Sequence, residues 1–238
     1  MKQVLDKEAL KAALRRRQLR RSASGHDDSG IHLSFGEALD AALPSGRGLC
    51  PAALHGFFAP DRDRVLSFAM TLAARTEGDV AWISASHPMQ ALTHGRFGLA
   101  TSRLLLARSE DQDEILWAAE ETLRSSVVSA TLLELEDWDE ASLHRLQLAA
   151  GTGGGLCLCL MSEETGWSHL TSLATQWRIT DGSGVRRSAS RFADPWWEVE
   201  LLSARGASRP WNITWRAAAE VLVAEDLASA GREEAFAD

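Results

Sequence analysis

Cys157 and Cys159 stand two apart in the apolar run Leu156–Met161, a spacing that raises thiol or metal chemistry first. Alternation along a strand puts both sulfurs on one face. A metal site needs further ligands in register, and no His or Cys closely flanks the run, so both read as buried core thiols. With Cys50 they make three cysteines, which does not suggest a disulfide scaffold. His55, His87, His94, His144 and His169 are scattered and form no HExxH-type ligand pair. Gly151-Thr152-Gly153-Gly154-Gly155 has the composition of an anion loop. It precedes a strand rather than a helix N-terminus, and so reads as a helix stop. No GxSxG elbow and no Cys/His pair supplies a nucleophile.

The elements that would carry a site alternate between short apolar strands and amphipathic helices. Strands are expected at Ala53–Phe58, Asp79–Ser84, Arg103–Ala107, Val127–Leu135, Leu156–Met161 and Gln176–Thr180. Helices are expected at Arg64–Arg75, 87–96, Glu110–Arg124 and Trp138–Ala150, the third opened by Ser109 and Gln112 as a capping box. Val127–Leu135 is too continuously apolar for a half-exposed strand and should be central. This order implies a mostly parallel sheet covered by helices on both faces. Near the end, Trp197, Val199, Leu201 and Trp211, Ile213, Trp215 alternate on either side of a loop and predict an antiparallel hairpin. Its three tryptophans read as core, whereas Trp196 points the other way and is the candidate for an exposed contact.

The 238-residue chain has 45% hydrophobic and 24% charged residues, an ordinary globular composition. Its apolar runs fall far short of the roughly 20 residues a membrane span needs, and the charged start lacks a signal-peptide core, so a cytoplasmic protein is expected. The net charge of −8 is unevenly spread: residues 1–21 sum to +6 and residues 220–238 to −5. Arg15, Arg16, Arg17, Arg20 and Arg21 make a basic cluster on a helix-favouring segment, followed by a polar linker. Such an arm can touch an acidic surface or give weak, salt-sensitive, non-specific DNA contact; it has no aromatic residue for base stacking.

Between the first strand and its helix lies Ala59-Pro60-Asp61-Arg62-Asp63-Arg64-Val65-Leu66-Ser67, where a phosphate loop would sit. Before it come Phe35-Gly36, Leu39-Asp40, Leu43-Pro44-Ser45-Gly46 and Leu54-His55-Gly56-Phe57-Phe58. After it come Leu116-Trp117-Ala118-Ala119-Glu120-Glu121-Thr122-Leu123-Arg124, Arg145-Leu146-Gln147-Leu148-Ala149-Ala150 and the Trp197–Trp215 hairpin. Taken in order, roughly over residues 31–216, these resemble the RecA/recombinase ATPase core and, more specifically, the inducible mutagenesis protein A (ImuA) family, a shortened RecA-like group.

The resemblance implies a RecA-like α/β fold. It implies for 31–216 a core of mostly parallel sheet flanked by helices with a C-terminal antiparallel hairpin; residue composition adds the expectation of a basic helix and linker over 1–30 and an acidic helix or tail over 217–238. A working phosphate loop needs glycines whose backbone N–H groups wrap phosphate, a lysine, and a Ser/Thr for Mg²⁺. In register with that pattern the glycine positions are Ala59 and Arg64, the lysine position Val65 and the hydroxyl position Leu66. Ser86 stands where such ATPases keep a water-activating glutamate, and Glu134 stands near the Walker B acid. Ala59–Leu66 therefore reads as vestigial, with no cofactor, no metal and no ATP hydrolysis expected. The bridge from Met161 to Trp177 is short, expected as one helix, and carries Glu163 and Glu164, which would repel DNA.

By resemblance the protein is a non-catalytic accessory of SOS-induced, error-prone translesion DNA synthesis. Its implied partners are an ImuB-like polymerase-related protein and an error-prone C-family DNA polymerase, with the RecA recombinase as a further candidate. The basic cluster Arg15–Arg17, Arg20, Arg21 and the Trp196 region are the candidate docking residues. Rival readings are a nucleotide-dependent RecA-like enzyme, a nucleic-acid binder acting through residues 1–21, and a SulA-like cell-division inhibitor.

Overall fold

A computed structural model of the protein describes residues 6–24, 32–35, 37–85, 97–165, 170–181 and 196–205, with the backbone of 214–218 and 225–226. Side chains of 20–24, 38–39, 42, 181 and 196 lie outside the description. The helices are α1 (Lys7–Ser24), α2 (Glu37–Ala42), α3 (Arg62–Ala74), α4 (Gln112–Leu123) and α5 (Glu140–Gly153). The strands are β1 (Leu54–Ala59), β2 (Asp79–Ser84), β3 (Leu104–Arg108), β4 (Val128–Glu134), β5 (Leu156–Ser162), β6 (Thr175–Asp181), β7 (Trp196–Ala204), β8 (Thr214–Ala218) and β9 (Glu225–Asp226).

They form one sheet in the order β3-β2-β4-β5-β1-β6-β7-β8-β9. The strands from β3 to β6 are parallel, and β6–β7, β7–β8 and β8–β9 are antiparallel. β4 and β5 lie centrally and are apolar on both faces because helices cover both sides. The expected hairpin is present, with Val199 opposite Trp215. Trp211 and Ile213 lie outside the described residues, as does the expected helix at 87–96. The stretch from Met161 to Trp177 contains a 3₁₀ turn at Glu163–Thr165 among its described residues; Glu163 and Glu164 there are exposed. Of the expected acidic tail, Glu225 and Asp226 pair with β8.

Each face of the sheet has its own core. On the α3 side, Phe68 meets Trp197 edge-on at 5.4 Å, and Phe35 and Phe57 pack on Trp177 at 5.0 and 6.4 Å. On the other side α4 and α5 cover Leu133, Cys157 and Cys159, so the two thiols share one buried face, 3.8 Å apart. Full burial of a side chain such as Leu133 or Phe68 is worth about 1.5–3 kcal/mol.

Among the described residues, the three helices that follow parallel strands start by one device, an aspartate N-cap: Asp61 accepts from the backbone of Arg64, Asp111 from Asp113 and Glu114, and Asp139 from Ser142. This corrects the capping box expected at Ser109 and Gln112. Ser109 lies two residues too early; its hydroxyl accepts from Asp111 N and donates to Glu114, while Gln112 reaches the Asp137 carbonyl. α5 stops at Gly154, whose φ of 84° is open to glycine at little cost, as expected of the glycine run.

The basic helix α1 is docked on α4. Leu10 and Leu14 are buried in the core, one turn apart, and Lys7 and Lys11 lie 5.3 and 5.5 Å from the Trp117 ring. Arg17 pairs with Asp79 at the start of β2 at 2.5 Å and reaches the Ser102 carbonyl. No described helix is long and apolar enough to cross a membrane.

Candidate functional site

In a parallel sheet under helices, ligands bind outside the carboxyl ends of the strands. At that end only Pro60 and Asp61 separate β1 from α3. Pro60 has no backbone N–H, and Asp61 turns its carboxylate onto the helix start, accepting from Arg64 N at 2.8 Å and pairing with the Arg64 guanidinium at 2.8 Å. A negative charge thus already caps the helix dipole where a phosphate would lie. Val65 and Leu66 are 3% exposed and belong to the core on the α3 side, with Val65 also lining a cleft at the strand ends.

Arg62, the first residue of α3, reaches past the end of β5 to Glu134 at the end of β4. Its Nε donates to Glu134 Oε2 and its Nη2 to Oε1 at 3.1 Å. Trp82 of β2 donates its indole N–H to the same Oε1 at 2.6 Å, and the guanidinium lies 5.9 Å from the Trp82 ring. Burial raises the Glu134 pKa, and the hydrogen bonds from Arg62 and Trp82 pull it back towards the charged form. Two clefts of about 220 and 320 Å³ flank this cluster, and both are lined by Arg62, Glu134 and Leu135. Chemically the cluster is a satisfied ion pair: its acid is committed to a cation and its cation to an acid.

The surroundings are acidic. Asp63, Glu110, Asp113, Glu136, Asp137 and Glu164 are exposed on these loops and first helical turns, without an ion pair among the described residues. No group of three or more His, Cys, Asp or Glu side chains among the described residues could hold a metal ion.

No known family model matches the sequence. The RadB recombinase crystal structure superposes with a TM-score of 0.57 at 14% identity, covering 77% of this chain and 94% of that one. Protein ImuA of Caulobacter vibrioides strain NA1000/CB15N is 28% identical over 179 residues, covering 71% of this chain and 69% of the relative. Protein ImuA of a second strain of that species, ATCC 19089, matches to the same extent. The fold is RecA-like and the sequence ImuA-like.

Within this RecA-like frame the residues singled out from sequence separate. Ala59–Leu66 forms the strand-to-helix turn and first helical turn as expected, and Glu134 comes to the same place. Arg15 and Arg16 are exposed, Arg17 is tied to Asp79, and the side chains of Arg20, Arg21 and Trp196 lie outside the description, as does Ser86. Sequence reasoning missed that Arg62 meets Glu134 and that Trp82 supports both. A basic residue opening the helix after the first strand, with an acid ending the central strand, was the available signal.

His55 was also missed. It is fully buried in β1; its Nδ1 lies 2.8 Å from the Thr175 hydroxyl and its Nε2 3.0 Å from the Cys50 carbonyl. The carbonyl can only accept, so Nε2 carries the proton and Nδ1 accepts from Thr175, whose oxygen in turn accepts from Trp177 Nε1 at 2.6 Å. Burial lowers the His55 pKa to about 4, which keeps this neutral tautomer.

Proposed function

We propose that this protein is a non-catalytic accessory of SOS-induced, error-prone DNA synthesis that works by protein contact on a RecA-like scaffold without turning over nucleotide. The single observation that carries the non-catalytic part is the Arg62–Glu134 pair, which fills the strand-end position where a metal-bound triphosphate would need a free acid and a free cation. The Asp61 cap, the apolar Val65 and Leu66, and the exposed carboxylates without an ion pair among the described residues support the same reading, since each disfavours phosphate. The role in damage-induced mutagenesis rests on the likeness to Protein ImuA.

The partners that fit are an ImuB-like polymerase-related protein, an error-prone C-family polymerase and the RecA recombinase. Arg15, Arg16, Arg20 and Arg21 on α1 and Trp196 on β7 are proposed as contact residues, with Arg17 fixing the helix that presents the four arginines. Tryptophan and arginine commonly anchor such interfaces at about 2 kcal/mol or more each.

Two measurements test this. Isothermal titration with Mg²⁺-ATP should be flat, and saturable Mg²⁺-dependent binding would overturn the non-catalytic reading. Affinity purification of the tagged protein from DNA-damaged cells should recover a replication or recombination protein; recovery of none sinks the accessory role.

A further inference from the structure

Arg62, Glu134 and Trp82 come from α3, β4 and β2, and β5 lies between β1 and β4 in the sheet. The Arg62 side chain therefore spans the end of a strand to tie the start of α3 to the middle of the sheet. α3 begins after a two-residue turn, and the contact of Asp61 with Arg64 is local to the helix itself. Glu134 is 14% exposed and Arg62 36%, so the pair is shielded enough to hold a fixed geometry, and the charge-assisted bonds are the strong kind. In a nucleotide-switched protein the bound phosphates and cation bridge such elements, and their loss frees them.

Building on the reading of a site without nucleotide, we propose that the Arg62–Glu134–Trp82 cluster is a built-in clamp: it does the bridging that a bound ligand would do and holds the strand-end surface in one conformation, while Asp61 caps the helix start. The conformation of this surface is then insensitive to nucleotide. Arg62 acts here as a positioning residue.

Amide hydrogen exchange of the full chain, read peptide by peptide, tests the device. In the wild type, exchange across residues 60–66 and 134–137 should be the same with and without 5 mM Mg²⁺-ATP. Arg62→Ala should raise exchange in those two segments about tenfold or more while leaving residues 175–180 and 197–204 unchanged; Arg62→Lys, which keeps the charge, should fall between. Glu134→Gln is the second variant if Arg62→Ala does not fold, and the same local increase is expected. Unchanged exchange at 60–66 in these variants, or an equal rise throughout the chain, overturns the clamp. Protection of wild-type 60–66 by Mg²⁺-ATP overturns instead the non-catalytic reading beneath it, so the two failures are told apart.

Discussion

Arg62 and Glu134 lie 72 positions apart in the chain, yet the guanidinium of one donates to both carboxylate oxygens of the other. Breaking a shielded pair costs more than forming it gained, because the remaining charge stays without its partner. Glu134→Gln and Arg62→Ala should each lower stability by about 1–3 kcal/mol in urea denaturation. The double variant should cost less than the sum of the two, and strict additivity in the cycle would show that the two side chains do not couple.

His55 makes a pH prediction. Its pKa is about 4 when folded and 6.5 when free, so between these values the unfolded chain binds the extra proton. Stability contributed by the neutral ring is therefore complete above pH 6.5 and is lost as pH falls towards 4, at up to about 1.4 kcal/mol per pH unit. His55→Gln should flatten the fall in melting temperature over that window relative to wild type. Parallel curves would refute the assignment.

The glycines closing α5 separate packing from conformation. A Cβ on Gly153 would strike the backbone of Leu123 and Arg124, whereas one on Gly151 meets nothing within 4 Å. Gly153→Ala should destabilise by about 1–3 kcal/mol, and Gly151→Ala, in an exposed helical position, should stabilise by up to about 1 kcal/mol. Chemical denaturation of the two variants gives the signs.

Docking of α1 rests on Leu10 and Leu14. Replacing both by alanine should cost about 2 kcal/mol or more and make residues 7–24 the first site of limited proteolysis. Arg17→Ala removes one ion pair that is partly open to water and should cost about 1 kcal/mol or less. Resistance of the Leu10→Ala/Leu14→Ala variant equal to wild type would show that α1 is held by something else.

Much of the frame could be read directly from residue order. Apolar runs such as Leu156–Met161, set between amphipathic stretches, specify buried parallel strands because both of their faces are covered, and alternation alone places Cys157 and Cys159 on one face. That Val65 and Leu66 are apolar is plain in the sequence, and both are buried on α3. Start signals were harder to read: Asp61, Asp111 and Asp139 each cap a helix, and in sequence a Ser a few positions early looks equally able to do so.

What tertiary structure alone decided is which distant side chains meet. Strand order 2-4-5-1, not chain order, brings the end of β4 within reach of the first residue of α3, past β5. The same folding turns Arg17 from part of a basic arm into the partner of Asp79, and seals His55 between Thr175 and Cys50. Local sequence sets periodicity and caps through contacts a few residues long. A long-range polar pair depends on the burial and spacing of strands that are neighbours only in the finished sheet.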